Sequence, residues 1–411
     1  MKKIIFILLI LFLGDVSIKS QDLCRDYLLL DGLEQLSEFG LDTTNNWWAI
    51  TVPISGSKRM IINGKESTVF REVSKPVFSP DSKRWAFFAE DNVSLLLVMN
   101  DTIINLGSSK AGQFVFSGNS EQYVYSYNVG ETEYIKFKDK SFEIINGSGQ
   151  LYIDYFGSNI AFAIRKGYNN YVLKNYQEFG YYDGIKIFGF DNNSKIVYAA
   201  QSGNGWQIYK DNKAISEVYS NITEFKINLE GTVTAAVARN FANKFQAILI
   251  SDEYYEPIVG KPYDVISNLS LHPTVSLYSY KAKQSLNEYI VFNSAEYAAG
   301  TVSGGPSFSY NGDEMFFIGC ELDCYLSING RRYILTNTVE VNIPIAVAPG
   351  TETYAYSTSS SLVISKLNTK NLHAGMMVDY VSAPRYNQFD KRYEALGVIS
   401  NKLYLLTCKA K

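Results

Sequence analysis

Pro76-Val77-Phe78-Ser79-Pro80-Asp81-Ser82-Lys83-Arg84-Trp85-Ala86-Phe87-Phe88 reads as one strand, a tight polar turn and a second strand. Phe78 is an apolar anchor, Ser-Pro-Asp-Ser is turn chemistry, and an aromatic run begins seven residues beyond the anchor at Trp85. The same frame recurs in both directions from this stretch. The anchors are Leu41, Phe78, Phe116, Ile153, Phe190, Asn228, Leu271, Phe308, Val347 and Phe389. Their partners at +7 are Trp48, Trp85, Tyr123, Ile160, Val197, Ala235, Tyr278, Met315, Tyr354 and Leu396. Successive anchors are 37, 38, 37, 37, 38, 43, 37, 39 and 42 residues apart.

A second mark follows nearly every anchor by 21 to 23 residues. It reads Asn63-Gly64, Asn100-Asp101, Asp139-Lys140, Asn175-Tyr176, Asp211-Asn212, Ser251-Asp252, Asn293-Ser294, Asn329-Gly330 and Asn368-Thr369. Such residues tolerate the positive φ that tight hairpins need. Each repeat therefore holds four short strands, as at 75–79, 84–89, 94–99 and 102–106. Alternation within strands, as in Tyr123-Val124-Tyr125-Ser126-Tyr127, agrees, and no helical period competes with it. Aromatic residues reach 14% of the 411, with 31 Tyr and 24 Phe, which suits half-buried pleated surfaces.

Four-stranded repeats of about 40 residues are propeller blades, which bury their apolar faces by stacking on one another. The fold class is all-β, a β-propeller of four-stranded blades. Pro76 to Phe87, with Ile61-Ile62-Asn63-Gly64-Lys65-Glu66 and Tyr182-Asp183-Gly184-Ile185, resembles the repeat of WD40-like, TolB-type propellers. The resemblance covers the mature chain in period, and only the repeat around Phe78 carries the full Ser-Pro-Asp signature. It implies a propeller that serves as a binding scaffold or as the propeller half of a peptidase.

Ten repeat units are counted, against four to eight blades in typical propellers. The expectation is one closed ring of 8–10 blades; two five-bladed rings, or a smaller ring with added units, stay open. The last repeat lacks a fourth strand, and Tyr27-Leu28-Leu29-Leu30 resembles one. The N-terminal strand is expected to join the C-terminal blade and close the ring, which removes exposed edges. The four cysteines follow the same logic: Cys24 with Cys408 as a clasp, and Cys320 with Cys324 across a hairpin. Free thiols and a zinc site are the alternatives, the latter weakened because the chain has two His, neither near these pairs.

Lys2, Lys3 and the apolar run 4–13 form a signal peptide over 1–20, with a cut after Ser20 that leaves Gln21 first. Residues 21–411 are the propeller domain. The chain is expected to be exported, periplasmic or extracellular, with no membrane span in the mature chain. A net charge of −3 without a basic run argues against a nucleic-acid partner.

Chemistry is sparse. No Gly-x-Ser-x-Gly elbow, P-loop or dinucleotide motif occurs. His272, in Leu271-His272-Pro273, fills the turn position of Ser-Pro-Asp, and His373 falls in a long hairpin. Asp191-Asn192-Asn193 reads as a turn rather than a calcium loop. Trp48 occupies a core position, while Trp47 and Trp206 are freer. No catalytic, cofactor-binding or metal residue is nominated, and no cofactor is expected. The reading is a non-catalytic exported binding or scaffold module for a protein, peptide or glycan. The alternative is a glycan-active hydrolase or lyase using acidic residues at the propeller channel.

Overall fold

The computed structural model describes residues 23–42, 46–53, 56–100, 102–145, 149–251, 256–309, 311–335, 344–367 and 373–410. The signal-peptide segment 1–20, Asp101, Asp252 and Asn368-Thr369 lie outside the described residues, as does the His373 side chain. Every regular element described is a β-strand, and the strands form nine antiparallel sheets. Six have four strands, two have five because the first strand is broken in two, and one of seven serves as two blades. Together they make ten blades, a propeller architecture. The first blade is Gln35–Leu41, Trp47–Val52, Lys58–Ile62 and Lys65–Phe70. The second strands of the next seven are Trp85–Glu90, Tyr123–Val129, Ile160–Lys166, Ile196–Ser202, Val233–Arg239, Tyr278–Gln284 and Met315–Cys320. Those of the ninth and tenth are Thr353–Ser357 and Arg392–Ile399.

The chain divides into two compact units. The larger, Gln35–Ile334, holds the first eight blades; the smaller, drawn from both ends of the chain, holds the ninth and tenth. In the larger unit, consecutive sheets pack face to face. Phe87 and Ala89 of the second blade meet Met60, Ile62 and Phe70 of the first, while Ala86 and Phe88 meet Phe114 and Phe116 of the third. Ile196, Tyr198 and Ala200 pack on the fourth blade, and Val197 and Ala199 on the sixth. Residues 85–89 and 196–200 are thus covered on both faces, which is why these two strands run apolar there without a break. In the smaller unit, Ala355, Leu362 and Ile364 pack on Tyr393, Ala395 and Leu406.

The seventh and eighth blades are one seven-stranded sheet, because the 14-residue strand Ala295–Phe308 serves both. In the smaller unit Cys24–Leu30 is the fourth strand of the tenth blade, antiparallel to Lys402–Lys409 with Cys24 opposite Cys408. Cys24–Cys408 and Cys320–Cys324 are disulfides, each with Cα atoms 4.0 Å apart.

The register assigns the anchors. Phe78 pairs with Trp85, Phe116 with Tyr123, and Leu271 with Tyr278, each across its turn. Four repeats depart from the +7 reading. Leu41 pairs with Trp47 and Phe190 with Ile196, each one residue short of the expected partner, and in two more the anchor itself is displaced. Ile227, one residue before Asn228, pairs with Thr234, and Tyr386, three before Phe389, pairs with Tyr393. Asn228 and Phe389 instead belong to the turns, Phe389 largely exposed. The polar residue after each anchor closes the turn: Ser79 Oγ accepts the Arg84 N–H (3.0 Å), Ser117 Oγ that of Gln122 (2.9 Å) and Ser309 Oγ that of Glu314 (3.0 Å). His272 does the same work, its Nδ1 accepting the Thr274 and Val275 N–H groups at 3.1 Å each. Gly312 lies against that ring with φ +81°, where a Cβ would stand 1.9 Å from Nε2.

The Asn/Asp mark does more than tolerate positive φ. Asn63, Asn100, Asn175, Asp211 and Asn329 take φ of 44° to 53°. Each also accepts, through Oδ1, the N–H of the residue that opens the second strand: Trp47, Trp85, Ile160, Ile196 and Met315, at 2.9 to 3.1 Å. Its own N–H donates to the carbonyl of that same residue. In the third blade the positive φ falls on Lys138 rather than Asp139.

Two measurements check this account. Asn175→Gly keeps the backbone conformation and removes two side-chain hydrogen bonds, from the Ile160 N–H and to Asn159 Oδ1, so it should destabilise by about 1–3 kcal/mol in urea; Asn175→Ala adds positive-φ strain and should lose about 1–3 kcal/mol more. Burial holds the His272 imidazole below its ordinary value, against the pull of Asp313 and the Gly312 backbone. The unfolded state then binds the extra proton first, so stability is full above about pH 6.5 and falls on acidification toward the lowered value. His272→Asn keeps an acceptor in the turn and should flatten that part of the stability–pH curve relative to wild type.

Candidate functional site

The two ends of the blades in the larger unit differ in chemistry. At the end carrying the first-to-second-strand turns, neighbouring blades are joined by polar bonds. Asn46 Nδ2 donates to the Ser82 carbonyl (2.8 Å), the Asp81 N–H to Ser120 Oγ (2.9 Å), Ser194 Oγ to Asp154 Oδ2 (2.6 Å) and Asn228 Nδ2 to the Pro273 carbonyl (3.0 Å). These contacts put the turns of successive blades at one end. The second-to-third-strand hairpins therefore lie at the other, one strand length away.

Those hairpin tips are apolar. Val93, Val129, Tyr168, Phe241, Leu286 and Leu322 stand at the tips of the second, third, fourth, sixth, seventh and eighth blades, and all six are exposed. Apolar exposure at the opposite end is confined, in the larger unit, to Phe156, Tyr176, Leu229 and Val275 among the described turns, and Tyr176 stacks on Phe142. Single exposed apolar residues are ordinary; a series at equivalent hairpins on one end points to a contact surface.

Between the seventh and eighth tips the series gains a cleft. It measures about 540 Å³ and is bounded by Leu286, Glu288 and Tyr289 on one side and by Gly300, Cys320 and Glu321 on the other. Leu286 is 93% exposed and Leu322 102% exposed. Leu322 sits at the centre of the Glu321-Leu322-Asp323 loop that the Cys320–Cys324 disulfide closes. A loop tied so tightly loses little conformational freedom when it docks, which favours binding. The cleft floor is equally fixed. Gly300 has φ +59°, and a Cβ there would lie 2.2 Å from the Cys320 carbonyl oxygen. Arg332 ion-pairs with Glu321 (2.9 Å), donates to the Ala298 carbonyl (2.7 Å) and covers the Tyr325 ring at 4.4 Å. Burial pushes the Glu288 carboxyl up, but Lys281 at 2.8 Å and the Val302 N–H hold it below the ordinary range.

Other residues singled out in the sequence have structural partners. Asp191 Oδ1 accepts the Lys195 and Asn193 N–H groups, and its carboxylate pairs with Lys210 at 2.6 Å. Trp48 covers Gly40, its cross-strand partner, and packs on the first core cluster, whereas Trp47 is half-buried outside it. Trp206 lies under Lys186, 4.5 Å from the ring, and burial lowers the pKa of that lysine. Among the described first strands of the larger unit the acids are Glu38, Glu72, Glu224 and, on the shared strand, Glu296, which pairs with Lys261 (2.8 Å) and accepts the Tyr263 hydroxyl (2.6 Å). Glu38 pairs with Lys75 (3.2 Å), Glu72 with Lys58 (2.5 Å), and Glu224 accepts the Leu269 N–H (3.1 Å). No group of three or more His, Cys, Asp and Glu able to hold a metal occurs among the described residues.

The hairpin tips were not singled out by sequence reasoning. The usable signal was an apolar residue at the turn itself, as in Cys-Glu-Leu-Asp-Cys, where turn chemistry calls for polar residues.

No protein-family model matches the chain, and no curated protein matches it in sequence. Solved structures do. The chain is similar to the Dos1 propeller at 10% identity and TM-score 0.39, covering 81% of this chain and 91% of that one. It is similar to TolB from Acinetobacter baumannii at 10% identity and TM-score 0.30, covering 64% of this chain and 76% of that one. It is also similar to a structure from a study of two prolyl endopeptidases, at 11% identity and TM-score 0.38, covering 72% of this chain and 55% of that one. The propeller assignment rests on the blade order and packing described above.

Proposed function

We propose that this propeller is a non-catalytic exported binding module, and that its hairpin-tip end engages a protein or peptide partner. The observation that carries the reading is Leu322, fully exposed on a disulfide-closed loop whose Cys320 and Glu321 face the exposed Leu286 across a cleft of about 540 Å³. Rigid apolar anchors of this kind concentrate binding energy in few residues. The acids on the first strands support the same reading, since each already has a partner within the fold.

The partner test uses photo-crosslinking of the purified protein to envelope or secreted fractions, with a Leu286→Ser/Leu322→Ser variant in parallel. Both leucines are exposed, so the variant should melt with the wild type. A partner captured by wild type and reduced at least about tenfold in the variant is expected, the loss of two buried anchors. Equal capture by both proteins, or no reproducible partner for folded wild type, overturns the reading.

Export has its own check. Two disulfides suit an oxidising compartment, and residues 1–20 read as a signal peptide. Protein recovered from the producing cell's exterior or periplasm should begin at Gln21 and carry no free thiol. An unprocessed N-terminus with four titratable thiols would sink this part.

A further inference from the structure

We propose that the pocket between the first and second blades binds one small, uncharged aromatic molecule of about the size of benzene. This site is independent of the hairpin-tip end. It has a volume of about 130 Å³, and its walls are Met60, Ile62, Phe70, Trp85, Phe87 and Val98.

The pocket has a local cause. In the fourth strand of the first blade, Ser67 Oγ accepts the Met60 N–H (3.1 Å) and donates to the Thr68 carbonyl (2.6 Å). The ladder shifts register between Arg59 and Ile61, so the fourth strand stands away from the third. The fifth blade repeats the device: Ser216 Oγ accepts the Ile208 N–H (2.9 Å), and a groove opens beneath that segment too. A serine that replaces a backbone ladder bond makes room under the strand it displaces.

The lining selects the guest. Met60, Ile62, Phe70, Phe87 and Val98 are buried, so a charged group entering among them would lose its hydration without a partner. At the rim, Glu66 is already paired with Arg59 at 2.7 Å, and Lys65 is exposed to solvent at the mouth and not among the buried walls. Trp85 and Phe87 stack with ring centroids 5.7 Å apart and planes at 18°, and Phe70 meets Phe87 edge-on at 6.3 Å. That arrangement offers both a ring face and a ring edge, the two geometries aromatic pairs favour. Size agrees, since an apolar cavity of about 150 Å³ accepts benzene.

Benzene itself is the probe. Thermal melts and tryptophan emission are recorded for the full chain with and without benzene near its solubility limit. Wild type should gain about 2 °C or more in Tm and change its tryptophan emission, a change that Trp85→Phe should diminish. Val98→Phe fills the pocket from its wall and should abolish both responses. If that variant fails to fold, Thr68→Trp, a substitution at an exposed rim position, blocks the mouth and should do the same. No shift in wild type, or a shift that survives the folded blocking variant, overturns the proposal.

Discussion

A sheet whose two faces are both apolar has no stable existence in water by itself. Ile196–Ser202 shows the constraint within one strand: alternate side chains leave toward the fourth and the sixth blades, and none of its first five residues faces solvent. Burying one large apolar side chain contributes about 1.5–3 kcal/mol, and each interface of the larger unit buries several. Blade formation and blade stacking are therefore a single event in energetic terms. Most of the sequence is committed to it, which leaves strand ends and fourth-strand edges as the places where specific surfaces can arise.

This explains what the sequence disclosed. The anchor, the +7 run and the Asn/Asp mark were legible because each is fixed locally, by turn chemistry or by burial on both faces. Asn228 and Phe389 were misassigned as anchors because a period alone does not say which residue lies across the turn; Ile227–Thr234 and Tyr386–Tyr393 pairing does. The second role of Asn175 or Asn329, receiving an N–H from a residue some fifteen positions earlier, depends on the hairpin being closed and leaves no mark in composition. The hairpin-tip end was hidden for a related reason. Leu286 and the Cys320–Cys324 loop are more than 30 residues apart and come to the two sides of one cleft only because the strand Ala295–Phe308 pairs with both of their hairpins.

The ends of the larger unit divide the work. One is closed by polar turn-to-turn bonds that consume Asn46, Asp81, Asp154 and Asn228, and His272 is spent on its own turn. The other leaves apolar side chains without such partners among the described residues. Fourth-strand edges add a different kind of surface, where one hydroxyl, Ser67 or Ser216, substitutes for a ladder bond and the strand lifts. Binding surfaces here follow from where regular pairing is relaxed, and chemistry-bearing side chains are used to restore it.

The continuous strand Ala295–Phe308 has a mechanical meaning. Its backbone is bonded to Asn287–Phe292 on one side and to Met315–Cys320 on the other. The two leucine-bearing hairpins are thus mounted on a single hydrogen-bonded frame, so the gap between them behaves as a fixed gauge that a visitor must match in width.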